Sequence, residues 1–284
     1  MADITAIVMT KNESENIRDC LLSIKDLVDR IVVIDSGSTD DTVEIAKELG
    51  ADIYYNEFKY YAQQFNWGLD NTNIDTEWVI RLDADERFPE KLCEEIKHNI
   101  EVNANTNVNG FTIEAWYYFM GKCLKRSVQK RKLMVFRYGK GRIEDRKRDA
   151  HTILSEGVSI ALKERFIHHD FKDLDNFIKK YNWYATREAQ DYISYKQGRI
   201  EEEVNDAIIN KRRQKKMNIY YRAPMFLRAG LWFIYNYIFR GGFLDGKEGF
   251  IYHVLSSFWY RYLVDAKIYE YQEKGKKIEE LSSL

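Results

Sequence analysis

VIRLDADERF occupies residues 79–88. Val79, Ile80 and Leu82 have the pattern of the end of a buried strand, and Asp83, Asp85 and Glu86 then place three carboxylates within four positions. Crowded carboxylates repel one another and resist burial, so something must offset them. Two apart on an extended backbone, Asp83 and Asp85 point to the same side. A pair of hard oxygen donors so placed suits Mg2+ or Mn2+, which keep positions open for water and phosphate oxygens. The competing reading is an Asp-rich polar turn leading into a helix at Pro89. Glu86 and Arg87 are read as the start of that turn, outside any site.

The flanking sequence decides the fold. Ile4–Met9 is an apolar run of strand length, followed by SENIRDCLLSIKDL, where Ser14 can cap a helix with Ile17, Leu21 and Ile24 on one face. Arg30–Ile34 is a continuous apolar strand of the kind buried on both faces of a parallel sheet. TDDTVEIAKELG begins with capping residues and acids and ends in Gly50, the signature of a helix. Further strands are predicted at Asp52–Tyr55, Glu77–Leu82 and Gly110–Ala115, with helices at Ala62–Leu69 and after Pro89. This alternation implies right-handed crossovers and a doubly wound α/β sheet, whose ligands sit at the carboxyl ends of the strands. Three polar groups fall at those ends: Thr10-Lys11-Asn12-Glu13, Asp35-Ser36-Gly37-Ser38 and Asp83-Ala84-Asp85. They are expected to share one edge and one crevice. Asp35 either receives hydrogen bonds from a base or ribose, or only caps the next helix, a task for which Asp40 is better placed.

After residue 115 the pattern changes. Gly121–Arg148 is strongly basic, and reads as a solvated face, a grip for a diphosphate, or a contact for anionic lipid head groups. From Leu174 the chain reads as helix, and two aromatic-rich apolar stretches follow at Met225–Phe239 and Phe250–Val264. As a helix the first is about 22 Å long, short of a hydrocarbon core of roughly 30 Å, and Arg228 interrupts it. It is not expected to span a membrane. Core packing, an oligomer interface and an interfacial helix remain open; Trp232, Tyr235, Tyr237, Trp259 and Tyr260, flanked by Lys211–Lys216 and Arg240, favour peripheral membrane contact through 217–264.

The 284 residues suffice for one large domain or one with an appendage, and 45% hydrophobic content can bury a real core. Forty-four basic against 45 acidic residues leave a net charge of −1, so bulk charge predicts no nucleic-acid partner. The basic run is also poor in interleaved aromatics. Cys20, Cys93 and Cys123 fit neither a disulfide framework nor a zinc spacing, which predicts reduced thiols in a cytoplasmic protein. MADITAIVMTKNE has the look of a first strand rather than a signal peptide.

The order T-K-N-E, V-I-D-S-G-S-T-D-D-T and W-V-I-R-L-D-A-D-E-R resembles the inverting family 2 glycosyltransferases, most closely the lipopolysaccharide-core β-1,4-glucosyltransferase branch. F-L-D-G at 243–246 and the helix bearing Lys180 and Tyr184 add to the likeness, which is dense over residues 4–100 and patchy to about 265. The resemblance implies a GT-A (Rossmann-like) mixed, mainly parallel sheet with helices on both faces. It implies a catalytic domain over 1–170, its nucleotide-sugar half at about 1–100 and its acceptor half at 101–170, and a helical C-terminal extension over 171–284. It also implies a UDP-sugar donor, with glucose the leading sugar, and a glycan hydroxyl acceptor on a lipid-linked or lipopolysaccharide-type molecule. The enzyme would sit in the cytoplasm, at the inner face of the cytoplasmic membrane, with self-association through the C-terminal region as the alternative use of its aromatic stretches.

By the family pattern Thr10, Glu13, Asp35 and Asn66 line the nucleotide sugar; Asp83 and Asp85 hold ribose, diphosphate and a divalent cation, Mn2+ or Mg2+; and Arg131 steadies the leaving diphosphate. His168 faces the metal or satisfies a buried hydrogen bond. Two departures stand out. Phe65 precedes Asn66 where the family often has Arg or Lys, and Asp149-Ala150-His151-Thr152 replaces a V-H-E pattern, putting Thr152 at the expected Glu. The proton of the acceptor hydroxyl then needs another base, for which Asp149 and His151 are the candidates, with Glu144 and Asp145 nearby. Two other readings stay open. A sugar nucleotidyltransferase should carry a Gly-rich loop after the first strand, which Thr10–Glu13 lacks. A non-catalytic binding module would have lost its base.

Overall fold

A computed structural model describes residues 3–126, 131–144, 151–169, 172–197 and 220–274. Asp145, Asp149 and the basic stretch Lys211–Lys216 lie outside the described residues. Contacts divide the chain into two compact units: Met1–Tyr118 with Val128–Asp170, and Phe119–Ser127 with Phe171–Leu284.

The first unit is built on a mixed sheet. Strands β1 (Ile4–Thr10), β2 (Arg30–Asp35), β3 (Asp52–Tyr55) and β4 (Trp78–Asp83) alternate with helices α1 (Ile17–Ile24), α2 (Thr42–Glu48) and α3 (Tyr61–Asn71). A short β5 (Glu86–Arg87) and helix α4 (Glu90–Val102) follow, then β6 (Val108–Phe119), β8 (Arg131–Arg137), β9 (Gly141–Ile143), β10 (Thr152–Leu154) and β11 (Val158–His168), while the short β7 (Lys122–Leu124) falls in the second unit. The main sheet runs β3-β2-β1-β4-β8-β6-β11-β5. β1 to β4 pair in parallel, β8 is set antiparallel between β4 and β6, β11 is parallel to β6, and β5 is antiparallel to β11. This is the mainly parallel GT-A arrangement, with β9 and β10 forming a separate antiparallel pair.

All seven residues of β1 are buried, as a central strand covered on both faces requires. Its alternate side chains feed two cores. Ile4, Ala6 and Val8 pack with Ile17 and Leu21 of α1 and Leu92 and Ile96 of α4. Ile7 and Met9 pack with Ala62, Phe65 and Leu69 of α3 on the opposite face. Phe65, standing where a cation was expected, is fully buried and meets Phe136 edge-on at 6.2 Å. Gly68 lets α3 lie against the sheet, since a Cβ there would come within 2.1 Å of Ile34.

The second unit is helical. Helix α5 (Leu174–Lys196) packs with the helix Tyr260–Lys274 around Ala185, Ala189, Val264 and Ile268. The two aromatic stretches are helical but irregular: Leu227–Ile234 continues as a π-helical turn to Phe239, and Gly246–Tyr252 as another from His253 to Trp259. Asp245 of the F-L-D-G segment is buried and accepts from the backbone N–H groups of Lys125 and Arg126, at 3.0 Å each. Its role there is to anchor the start of the basic run. No helix among the described residues is long and apolar enough to cross a membrane.

Candidate active site

Register brings the three polar strand ends to one edge. Thr10 lies opposite Asp35 across β1 and β2, and Met9 lies opposite Asp83 across β1 and β4. The first two ends are laced together: the N–H of Asn12 donates to Ser38 Oγ at 2.9 Å, Thr39 N–H to Asn12 Oδ1 at 2.8 Å, and Glu13 N–H to Thr42 Oγ1 at 2.8 Å. Asp40 clamps this junction, accepting from Ser14 and Thr42. Burial alone would raise its carboxyl, but those hydrogen bonds hold it at about 2. Helix α3 ties in the third end, with Gln64 donating to Ser36 Oγ at 2.9 Å and Tyr61 O–H to Asp83 Oδ1 at 2.7 Å.

Within this frame Asp35 serves its own turn. It is buried, and its carboxylate accepts from the N–H groups of Gly37 and Ser38 at 2.8 and 2.9 Å. Gly37, at φ +87°, adopts the left-handed backbone the turn needs. Glu13 accepts from Asn16 Nδ2 at 2.8 Å at the start of α1. Thr10 Oγ1 is buried with no hydrogen-bond partner among the described residues. Asn66 spends both ends of its amide on the backbone of Ile143, at 2.7 and 3.0 Å, and so fastens β9 to α3.

The carboxylates that opened the question are gathered around β4, β5, β8 and β11. Glu86, read from sequence as part of a turn, is fully buried at the centre. Its carboxylate receives Asp83 N–H at 3.1 Å, pairs with Lys132, and lies 3.4 Å from His168 Nδ1. Burial pushes the Glu86 carboxyl up, but Lys132 and His168 outweigh it and hold it well below the usual carboxylate range. Burial likewise opposes the charge on Lys132, and Glu86 and Asp83 overcome it, raising the ammonium pKa. Asp83 Oδ2 lies 3.4 Å from Lys132 Nζ, so both its oxygens are engaged. Asp85 and His168, 14% and 17% exposed, approach each other at 3.9 Å between Oδ2 and Nε2. Tyr117 packs against the His168 ring at 5.3 Å between centroids.

Among the described residues, the basic run resolves mainly into ion pairs. Arg142 grips Asp70 at 2.7 and 2.8 Å, Arg137 pairs with Glu77, and Lys140 with Glu156. Arg131 donates to the carbonyls of Thr112 and Leu162 and lies 3.6 Å from Glu114. Its neighbour Lys132 is the cation that the β8 backbone turns towards the carboxylates. The β4–β8 ladder ends at Ile80↔Val135, and beyond it Lys132 Nζ lies 3.4 Å from Asp83 Oδ2.

Arg81 shares the Asp83 face of β4. It is buried, stands over the Tyr61 ring at 5.3 Å and donates to Thr152 Oγ1 at 2.7 Å. Thr152, found where the family has Glu, is thus held by a buried guanidinium. Beside it, His151 is 43% exposed, and both its backbone N–H and its Nδ1 meet Glu144 Oε1, at 2.8 and 3.0 Å. Glu144 is itself buried.

Residues 5–151 match the family described as Glycosyl transferase family 2, and the chain belongs to that family. It is similar along its length to an uncharacterized glycosyltransferase of Rickettsia felis, 26% identical over 98% of this chain and 93% of the relative. It is also 25% identical to the lipopolysaccharide core biosynthesis glycosyltransferase LpsC of Rhizobium meliloti, covering 94% and 92% of the two chains. Among solved structures, glucosyl-3-phosphoglycerate synthase of Mycobacterium tuberculosis, in complex with Mn2+, uridine diphosphate and glucosyl-3-phosphoglycerate, matches 40% of this chain and 44% of its own at 22% identity, with a TM-score of 0.33.

Proposed function

We propose that this family 2 glycosyltransferase inverts the anomeric centre of a UDP-sugar, glucose first among candidates, and transfers the sugar to a glycan hydroxyl. The observation that carries this reading is the carboxylate–lysine–histidine cluster at the carboxyl end of β4, within a chain of this family. The similarity to LpsC supports a lipopolysaccharide-type or other lipid-linked acceptor.

The donor set at Asp85 and His168 suits Mn2+ or Mg2+. One carboxylate oxygen and one imidazole nitrogen lie close enough for two positions of a shell, and Glu86 holds the far ring nitrogen as a metal-binding histidine requires. Among the described residues no group of three or more His, Cys, Asp or Glu is placed to hold an ion. The remaining positions would therefore fall to diphosphate oxygens and water. A cation there would offset charge developing on the departing diphosphate. Lys132 sits on the same side and supplies a second positive charge, a part that the family pattern had suggested for Arg131.

The acceptor oxygen attacks the anomeric carbon from the face opposite the diphosphate. The carbon–oxygen bond to the diphosphate breaks and its electron pair leaves with UDP. His151 takes the hydroxyl proton: Glu144 holds Nδ1, which turns Nε2 away from that carboxylate and stabilises the imidazolium formed. Asp149, the other base candidate, lies outside the described residues.

The test is UDP release with and without Mn2+, with wild type and Asp85→Ala. Wild type should need the cation, and the variant should lose at least about a hundredfold in rate. Full activity in Asp85→Ala with the donor that wild type uses would sink the metal role.

A further inference from the structure

Two helical segments of the C-terminal unit face the opposite way from ordinary surface helices. In Leu227–Phe239 the inward side chains are Ala229, Asn236 and the ion-paired Arg228. Leu227, Leu231, Ile234 and Ile238 face outward, at 58%, 52%, 42% and 53% exposure. Spaced three or four apart, they form one stripe. The segment Gly246–Trp259 repeats the inversion. His253 and Ser257 are buried and share a 3.0 Å hydrogen bond, whereas Phe250 and Phe258 face outward. Phe233 meets Phe258 at 6.4 Å and Tyr237 meets Phe250 at 5.6 Å, so the two stripes adjoin. The turn between them presents Phe239 at 77% exposure, with Phe243 and Leu244 also exposed.

A helix exposed to water buries its leucines and exposes its asparagine. Here Arg228, Asn236, His253 and Ser257 are inside, together with Ala229 and Tyr252, while Leu227, Leu231, Ile234, Ile238, Phe250 and Phe258 are outside, over two adjoining helices about 20 Å long. An apolar surface of that extent marks a contact with something apolar. Charge decides with what. The acids of residues 220–264 are Asp245 and Glu248, taken up by the Lys125 and Arg126 backbone and by Lys122. Arg222 flanks one end of the surface, and Arg240 and Lys247 the other. A second copy packed on this face would set cation against cation in either orientation. An anionic bilayer meets all of these features: acyl chains for the stripe, the headgroup layer for Trp232 and Tyr235, and phosphates for the cations.

We propose that this face seats on an anionic lipid surface, with Leu231, Ile238 and Phe239 inserted. The proposal does not depend on the chemistry assigned to the α/β unit. Its test is flotation of the full chain with phosphatidylcholine vesicles, with and without phosphatidylglycerol. Wild type should float only with the anionic vesicles, and less as salt is raised. The triple variant Leu231→Gln/Ile238→Gln/Phe239→Gln, at exposed positions, should keep its Tm and lose at least about tenfold in partitioning. Arg222→Gln/Arg240→Gln/Lys247→Gln should weaken binding without touching the stripe. Wild type remaining with the unbound fraction overturns the proposal, as does a triple variant that floats like wild type. So does light scattering that shows a dimer dissolved by the triple variant while neither protein floats.

Discussion

Each unit of this chain contains a cluster of buried charge, and the two clusters are finished differently. In the helical unit Arg228 lies on Asp265, with Nε 2.8 Å from Oδ1, and Phe226 N–H donates to Oδ2 of the same carboxylate at 2.8 Å. Glu188 receives Tyr221 at 2.8 Å, Tyr260 at 2.5 Å and Arg261 at 2.6 Å. Two cations thus meet two carboxylates, and the set is electrically closed. Around β4, Asp83 and Glu86 share the single ammonium of Lys132, Asp85 lies beside His168, and the buried Arg81 bonds to Thr152 rather than to a carboxylate. A closed network locks helices together, whereas a cluster at the carboxyl edge of a sheet lies where such sheets bind their ligands.

The comparison can be broken by substitution. Lys132→Met should have the largest effect, about 3–5 kcal/mol in urea unfolding at neutral pH, because Glu86 would be left buried without its cation. In wild type the lowered Glu86 carboxyl means that the pair stabilises above the ordinary carboxylate range and ceases to do so as pH falls through the folded value. In the variant burial would win and raise that carboxyl, so its deficit should shrink between neutral pH and about pH 5. An unchanged deficit would mean that Glu86 is not the strained group.

Arg228→Met should cost a comparable amount, about 3–5 kcal/mol, for the same reason at Asp265. The two clusters separate at the next step. Arg228→Met/Asp265→Leu should recover most of that loss and leave UDP release intact, because a closed network can be replaced by apolar packing. No such replacement at Asp83 and Lys132 should restore turnover. If the double variant at 228 and 265 abolished turnover with its Tm restored, the closed cluster would have a functional role.

His151→Asn is expected to lower kcat by about a hundredfold or more while KM for the donor holds. Glu144→Gln, which removes the carboxylate that holds Nδ1, should lower kcat in part. An unchanged kcat in His151→Asn would return the base to Asp149. Asp40→Ala is the smallest effect, about 1 kcal/mol for a clamping carboxylate. With its carboxyl at about 2, Asp40 contributes above the unfolded value and loses that contribution as pH falls towards 2. Acid unfolding of wild type and Asp40→Ala should therefore converge at low pH.

Much of this architecture was legible before the coordinates, because hydrophobic period and caps are local signals. Asp52–Tyr55 is a strand within the same limits as expected, and the helix after Pro89 runs Glu90–Val102. The three strand ends could be placed on one edge from parallel topology alone. What was illegible depends on contacts between distant residues. Lys132 is one of many cations in a basic run, and nothing local shows that Arg137, Lys140 and Arg142 are neutralised by Glu77, Glu156 and Asp70. Glu86 was assigned to the turn because a lone glutamate after an Asp pair has no period to betray its burial. Arg81 did leave a trace, a charge set inside the apolar run of β4, and such a residue is buried only when partnered. The inverted helices read as apolar segments from sequence; which side each presents emerged only from packing.

Asn66 grips Ile143 through both atoms of its amide, and Arg81 grips Thr152, and these two held residues are register partners across β9 and β10. Glu144 and His151, next to these partners, therefore stand beside a junction that α3 and β4 clamp. On the proposed function, substitutions next to this junction would change what meets the acceptor hydroxyl while the clamps keep the strand ends of β1, β2 and β4 in place.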